Sequence, residues 1–316
     1  MPLRTWVLAD DHGKPIPDRL IRPNMPTDSR RLVRMQALKA TQLPPHPDLA
    51  PQQNAGSPPQ LQTFLSAALE EAEGFMTGYL PQNFKVKSAS KQSPPSSAPV
   101  ELLSCDINVD LPKDIRPAGS YGNIETWFAR TSVHENAAKD GTASWEEFDA
   151  GLRADHSQHE MDYTPDVYDA HEALTYGGEL ECMQRRVGDW MDVQASVMEM
   201  VHHIPPPLDD RVFPELVITA RKADEFVVIQ IPVDTTGMPG AKYDNKGGKL
   251  TAGMYCSIER GQLLDGGARV KWQMATASDA KGVLPMWAQK MGVPGAVVKD
   301  VGLFMGWTAK RRQGVA

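Results

Sequence analysis

The sequence predicts an α+β protein in which a curved antiparallel sheet is closed by one long, kinked C-terminal helix. After Gly119 the chain becomes a series of segments rich in β-branched and aromatic residues, with turn residues between them, which is typical of consecutive strands. The apolar residues then change to a helical period that continues to the end of the chain. Because such a sheet cannot bury its concave face alone, we expect the last helix to cover it.

The N-terminal 58 residues are rich in proline and polar residues, and they predict an arm that is either mobile or wrapped on the surface. Within this arm only residues 30–39 indicate a helix. The domain proper is expected over residues 59–316. It begins with an amphipathic helix between Pro59 and Leu80, where apolar residues recur at helical spacing. A Ser- and Pro-rich segment, residues 88–99, predicts a loop.

The sheet is expected mainly within residues 119–276. Six segments predict strands: Ile124–Val133, Val187–Ile204, Val212–Arg221, Glu225–Val233, Met254–Arg260 and Ala268–Thr276. Between the first two, Ser144 and Glu147 have the spacing of a capping box, which marks a helix start. The C-terminal helix is expected over residues 279–313, with Ser278 or Asp279 as its cap and a bend at Pro294.

Composition excludes several classes of function. The 316 residues carry a formal net charge of −7, which gives no electrostatic reason to bind nucleic acid. No apolar stretch approaches the roughly 20 residues of a membrane-spanning helix, and the first residues lack a secretory signal. The three cysteines are far apart, so neither a disulfide framework nor a zinc site is indicated. We therefore expect a cytoplasmic protein without metal or cofactor, and transient contact with a membrane stays open.

Two segments resemble START lipid-transfer domains. Residues 272–287 read WQMATASDAKGVLPMW, and this run is similar to the end of that family, where a last strand leads through Asp and Gly into a Pro-containing first turn of a lid helix. Residues 208–213, LDDRVF, resemble the family's turn into a middle strand. The resemblance covers roughly residues 119–313. It implies a START-like fold, the helix-grip or SRPBCC type, with a hydrophobic cavity between sheet and helix.

A narrower resemblance lies in residues 127–134, WFARTSVH, and residues 155–160, DHSQHE. Both are similar to a START-like family of fungal proteins, most of which have no assigned function. This resemblance suggests a role in lipid handling or in secondary metabolism. The long, loop-rich N-terminal third departs from classical START domains.

The candidate catalytic residues are Arg130 and His134. With Ser132 they alternate along a predicted strand, so all three project from one face. An arginine there would pair with a carboxylate or enolate, and a histidine would move protons near neutral pH. The alternative is a solvent-exposed face with an arginine ion pair.

The cavity is expected to be lined by aromatic, methionine and other side chains of the strands and of the last helix. The candidate ligand-binding residues are Trp127, Ser132, Met198, Met200, His202, Tyr255, Val270, Trp272, Met274, Trp287, Met291 and Val298. Ordinary core packing is the alternative for the aromatic and methionine residues. His156 and His159 are three residues apart near a predicted helix end, and together with His171 they are candidate ligands of a zinc site. Hydrogen bonding at the helix terminus is the simpler explanation of these histidines.

Two functions remain open from the sequence. One is a binding protein that encloses a hydrophobic small molecule or lipid-like ligand. The other is a cofactor-independent cyclase, isomerase or lyase that acts on a polyketide- or terpenoid-like intermediate, with Arg130 stabilising an anion and His134 as acid or base. The sequence has no G-x-S-x-G elbow, dinucleotide-binding fingerprint or P-loop, which argues against standard hydrolase and nucleotide chemistry.

Overall fold

The computed structural model describes residues 31–54, 56–108, 124–206, 208–243, 250–282 and 286–315, with side chains of the last range described from Met291 onward. The first 30 residues of the predicted arm and the side chain of Trp287 therefore lie outside the described residues.

Ten described strands form one antiparallel sheet that does not close into a barrel. The strands are β1 Lys85–Lys91, β2 Val100–Asn108, β3 Ile124–Glu135, β4 Val167–Thr175, β5 Met191–His202, β6 Asp210–Arg221, β7 Glu225–Pro232, β8 Leu250–Ala252, β9 Met254–Leu264 and β10 Arg269–Asp279. Their order across the sheet is β1-β2-β3-β10-β9-β7-β6-β5-β4, and the short β8 pairs in parallel with β6. This architecture confirms the predicted α+β fold class.

The sheet begins earlier than the sequence indicates. The hairpin of β1 and β2 precedes the predicted range, and residues 88–91, predicted as loop, are the second half of β1. Strand β4 was not predicted either. Both β1 and β4 are edge strands, and β1 is almost fully exposed, so it lacks the alternating apolar pattern by which strands are recognised. The six predicted strands are present, each shifted by a few residues.

Seven α-helices are described: α1 Ala50–Gln53, α2 Leu61–Gly74, α3 Leu80–Asn83, α4 Trp145–Phe148, α5 His156–Tyr163, α6 Gly177–Cys182 and α7 Met286–Arg312. The predicted amphipathic helix is α2, and it buries the expected apolar face. It ends at Gly74, where a π-helical turn continues the helical path into α3. The capping box is confirmed, since the Ser144 hydroxyl accepts from the Glu147 amide and the Glu147 carboxylate accepts from the Ser144 amide.

The C-terminal helix starts later than predicted. Strand β10 runs to Asp279, so Ser278 and Asp279 pair with Tyr255 and Met254 of β9 instead of capping a helix. The predicted start at residue 279 was wrong because the partner strand β9 is long enough to keep those residues in the sheet. Pro294 lies inside α7, as expected. No helix in the described ranges combines the length and apolar content that crossing a lipid bilayer requires.

One face of the sheet is covered by α2 and by the described part of the N-terminal arm. Val33, Leu43 and Leu49 of this arm are completely buried in the larger apolar core. Residues 31–39 are not helical, which corrects the prediction. Instead, Leu38 forms a bridge with Val233, and its amide donates to the Pro232 carbonyl. The described arm is therefore part of the core, docked along the sheet.

Helices α4, α5 and α7 lie on the opposite face of the sheet, where Trp272 packs against Phe148 and Phe304. The loop between β1 and β2 holds the middle of α7. The Ser93 hydroxyl donates to the Val298 carbonyl at 2.6 Å and accepts from the Gly302 amide at 2.8 Å. A Cβ atom at residue 302 would collide with the carbonyl groups of this loop. In contrast, residues 291–296 of α7 are exposed or half-buried.

The docked arm gives a testable prediction with two matched valines. Replacing completely buried Val33 with Ala removes two methyl groups and leaves a cavity, so we expect the free energy of unfolding to fall by about 2 kcal/mol. Val86 in β1 is 53% exposed, and its replacement by Ala should cost less than about 1 kcal/mol. Urea unfolding measures both. Equal effects would contradict the docking of the arm.

Candidate functional site

Strand β3 divides the candidate residues between the two faces of the sheet. Arg130, Ser132 and His134 all lie on the face that α7 covers, where each is nearly inaccessible to solvent. Trp127 lies on the other face, with its ring 5.1 Å from that of Phe75. Its assignment to the cavity was wrong. Trp127 lies three positions before Arg130, and because successive side chains of a strand point to opposite faces, an odd offset places the two on different faces.

Arg130 sits in a buried ion pair. Its Nη2 atom donates to Glu259 Oε1 at 2.9 Å, and its guanidinium group lies 3.9 Å above the ring of Trp272. The indole nitrogen of Trp272 donates to the same carboxylate oxygen at 2.7 Å. Nothing described bonds to Arg130 Nε or Nη1. The alternative of a solvent-exposed arginine is therefore wrong, and part of its hydrogen-bonding capacity is unused.

His134 and Ser132 form a second buried pair, with 2.8 Å between the imidazole Nε2 and the hydroxyl oxygen. The imidazole also lies beside the rings of Phe148 and Trp272. Burial and, to a smaller extent, the nearby charge of Arg130 together lower the pKa of His134 to about 4. The histidine is consequently neutral at physiological pH.

Four carboxyl groups share the buried region around Arg130. They come from four elements of the fold: Glu160 in α5, Glu215 in β6, Glu259 in β9 and Asp300 in α7. Burial raises the pKa of Asp300 to about 7, although the charge of Arg130 opposes this rise. Burial also raises the pKa of Glu160, and it raises that of Glu215 well above its ordinary value. These groups therefore hold protons at pH values where exposed carboxyl groups are ionised.

Several side chains indicate an internal space between the sheet and helices α5 and α7. Burial shifts the pKa of Glu160, Tyr163, His202, Tyr255 and Asp300, yet each of these residues keeps part of its surface accessible to solvent. For Glu160 this exposed fraction of the side chain is 21%. Such partly accessible side chains, gathered from α5, β5, β9 and α7, indicate a cleft between the sheet and these helices.

The register of the strands places further apolar side chains along this space. Met198 is opposite Glu215, and Met274 is opposite both Glu259 and Arg130, so these methionines share the face of the buried charges. Met200 is opposite Phe213. The Phe213 ring contacts the rings of His202 and Tyr255 edge to face. The internal space thus has a polar region at Arg130 and an apolar lining of methionine and aromatic side chains.

Some predicted ligand-binding residues are placed elsewhere. Val270, Trp272 and Val298 face α7 or the sheet as expected. They are packed into a second apolar core, which lies between the sheet and α7 and includes Phe148 and Phe304. Met291 is 74% exposed on the outer part of α7, where residues 291–296 are exposed or half-buried. The predicted contact of Met291 with a ligand is therefore wrong.

Residues 156, 159 and 171 do not form a metal site. The imidazole of His171 bonds to the Gly240 carbonyl at 2.9 Å, whereas that of His156 bonds to the Leu152 carbonyl at 2.6 Å. In the described ranges, no group of three or more metal-ligating side chains is close enough to hold an ion.

The acidic residues of the site were missed by the sequence analysis. The signal was present, because Glu215 interrupts the apolar run of β6, and Asp300 lies within the apolar stripe of α7. Charged residues are almost never fully buried unless they are paired or functional, so a charge inside such a run marks a site.

An open groove with a volume of about 740 Å³ lies on the outer side of α7. It is lined by the Ser93–Pro95 loop, by Tyr163 and by Lys310, among other residues. Tyr163 also interacts electrostatically with Glu160 and Asp300, so it stands between the groove and the internal carboxyl groups.

Comparison with known proteins agrees with this architecture. The model of a family described as "Protein of unknown function (DUF3074)" matches residues 127–308. The uncharacterized protein C577.11 of Schizosaccharomyces pombe is 26% identical over 187 residues, which are 58% of this chain and 67% of that protein.

Two solved human structures share the fold. STARD10 superposes with a TM-score of 0.50 at 13% identity, over 82% of this chain and 83% of the other. The StAR-related lipid transfer protein 5 gives a TM-score of 0.51 at 10% identity, over 80% and 98%. At these identities the likeness shows the fold alone, and it confirms the predicted START-like architecture.

The buried ion pair predicts a large effect of removing one partner. Arg130→Met leaves Glu259 buried without its cation, so the free energy of unfolding should fall by roughly 3–5 kcal/mol. Arg269→Met is the matched control, because its ion pair with Asp265 is exposed, and it should leave the free energy of unfolding almost unchanged. Urea unfolding compares the variants. Similar losses for both would show that the buried pair has no special role.

The buried histidines predict a distinct pH dependence. Burial lowers the pKa of both His134 and His202 to about 4 from an ordinary value of 6.5. The unfolded chain then binds more protons than the folded chain between these values, so each histidine lowers the stability as the pH falls from 6.5 towards 4. NMR titration of the imidazoles should find both neutral at about pH 5.5. A midpoint near 6.5 for His134 would contradict its described environment.

Proposed function

The chain belongs to the DUF3074 family, whose description names no function, and we propose that it binds a hydrophobic small molecule or lipid-like ligand in the internal space between the sheet and helices α5 and α7. The observation that carries the proposal is the group of Glu160, Tyr255 and Asp300, which come from three elements and keep part of their surface accessible although burial raises their pKa values. Protein interiors are normally close-packed, because lining atoms without neighbours lose their contacts. A concave space with apolar walls and a few convergent polar groups is the usual form of a small-molecule site.

The shared fold supports the same function. The human StAR-related lipid transfer protein 5 has lipid transfer in its name, and its chain follows this sheet and helix arrangement over most of its length. Because the identity is only 10%, the likeness gives a class of ligand to test and not a ligand.

The lining can provide enough apolar contact for such a ligand. Met198, Met274 and Phe213 line the sheet side of the space, and the flexible, polarisable thioether of methionine adapts to irregular apolar shapes. Each buried methylene contributes about 0.8 kcal/mol, so a twelve-carbon chain gains on the order of 10 kcal/mol before the costs of association. This leaves room for a micromolar or tighter complex.

The enzymatic alternative stays a prediction. Arg130 lies next to the internal carboxyl groups, which is compatible with a role at a ligand, whereas His134 is enclosed between Ser132, Phe148 and Trp272. Retained binding with loss of turnover in Arg130→Ala and His134→Ala variants would support catalysis by these residues. Unchanged turnover in both variants would exclude it.

Native mass spectrometry of the purified protein, followed by solvent extraction, tests the proposed function. We expect apolar compounds that leave the protein on extraction, at about one molecule per chain, since a single internal space is described. Protein recovered only at the mass of the chain, together with no affinity for alkyl compounds, would contradict the proposal.

A pair of methionine variants locates the bound compound. Met198→Trp places a large ring on the face that lines the space and should reduce the bound amount by about tenfold. Met291→Trp adds the same ring at a position that is 74% exposed and should leave binding unchanged. Equal binding by both variants would place the ligand outside this space.

A further inference from the structure

The charges around the internal space are unbalanced. Among the described residues, four carboxyl groups lie there, whereas the basic groups that act on them are few: Arg130 and Lys299 act on Asp300, and the imidazole of His156 lies 3.6 Å from Glu160. Arg130 is already engaged by Glu259 and by the face of Trp272. The carboxyl group of Glu215 is influenced by that of Glu160 and by no described cation. An additional anion in the space would increase their mutual repulsion, and an additional cation would relieve it.

Unpartnered oxygen atoms show where such a cation would bind. Glu215 is 1% exposed, and its Oε1 accepts from Gln230 Nε2 at 2.7 Å, while no described donor reaches its Oε2. Glu160 Oε2 likewise has no hydrogen bond of ordinary geometry within the described structure, although Gln230 acts on the Glu160 carboxyl group and the imidazole of His156 is 3.6 Å away. A buried carboxyl oxygen without a donor is destabilising, because the hydrogen bonds it made to water are not replaced. Two such oxygens therefore offer an unfilled place for hydrogen-bond donors.

We propose that the ligand of this space is an amphiphile with a primary amine at its polar end, whose ammonium group donates hydrogen bonds to Glu215 and Glu160. The inference rests on the proposed function and names the class of ligand. An ammonium group supplies three donors and one positive charge, which match two acceptor oxygens in an acidic environment. The apolar chain would lie along the methionine and aromatic side chains of β5, β6 and β10.

The proposal implies that binding releases protons. Burial raises the pKa values of Glu160, Glu215 and Asp300 in the free protein, and a bound ammonium would favour their ionised forms. Affinity for an amine should therefore increase as the pH rises through about 7, as long as the amine stays protonated. Other described groups also act on these carboxyls: Arg130 of β3, His156 and Tyr163 of α5, Tyr255 and Glu259 of β9, and Lys299 of α7.

The test compares three probes with the same twelve-carbon chain: dodecylamine, dodecanol and dodecanoate. Their dissociation constants are measured by displacement of Nile red from the full chain. At about pH 7.5 we expect dodecylamine to bind at least about tenfold more tightly than the other two. At about pH 5.5, where the carboxyl groups keep their protons, this preference should fall below about threefold.

Glu215→Gln keeps the shape of the side chain and removes its charge, so it should reduce the preference for the amine by about tenfold and leave dodecanol affinity within about twofold. Glu160→Gln provides a second variant if the first does not fold. Glu181→Gln is the matched control, because Glu181 is an exposed residue of α6 whose ion pair with Arg185 lies at the surface. An equal effect of all three substitutions would overturn the assignment.

The outcomes separate the two proposals. Equal affinities for the three probes, or tightest binding of dodecanoate, would overturn the amine assignment and leave the proposed function intact. Failure of all three probes to displace the dye would overturn the proposed function and the inference with it.

Discussion

The structure depends on one constraint, which is that a single antiparallel sheet must bury both of its faces with different chemistry. Alternation along each strand sends one set of side chains to α2 and the N-terminal arm and the other set to α5 and α7. In β3 this places Trp127 in an apolar core and Arg130 in a polar interior. In β9 it places Ile258 in the core and Glu259 beside Arg130. A shift of one residue in strand register would turn the apolar side chains to the polar face and the polar side chains to the apolar core. The register of these strands is therefore strongly specified.

The polar face explains why the interior is organised around Arg130. Its guanidinium group joins β3 to β9 through Glu259, and to β10 through the ring of Trp272. Trp272 in turn packs against Phe304 of α7. One buried cation thus connects the sheet to the helix that covers it. A buried ion pair rarely adds net stability over apolar residues of the same shape, but removing one partner leaves an uncompensated buried charge.

Much of the fold could be predicted from local patterns. The central strands β5, β6, β7, β9 and β10 carry apolar or alternating residues, and the Ser144 capping box is a short-range signal. Edge strands β1 and β4 could not be recognised in this way, because their side chains are largely exposed or mixed. The start of α7 was misplaced since the pairing of β10 with β9 depends on a distant segment. The bounds of these elements depend on pairing between segments that are distant in sequence, and no local sequence pattern indicates that pairing.

The candidate site could also be predicted only in part. The alternation of side chains along β3 correctly placed Arg130, Ser132 and His134 on one face, and the same alternation places Trp127 on the other face. Glu160, Glu215 and Asp300 come together from a helix, a strand and another helix that are far apart in sequence. Their meeting depends on how α5 and α7 cross the sheet, which a single sequence does not report. A charge within an apolar segment was the available signal.

The attachment of α7 has a consequence for how its two halves exchange amide protons with solvent. From Val298 onward the helix is fixed by the Ser93 hydroxyl and by the second core, and Gly302 permits the close approach of that loop. Residues 291–296 have no comparable burial, and Pro294 lacks the amide hydrogen that would continue the helical ladder. We therefore expect residues 291–296 to open locally at a lower free energy than global unfolding requires. A protein built in this way can expose its interior at one end while the rest of the molecule keeps its native packing.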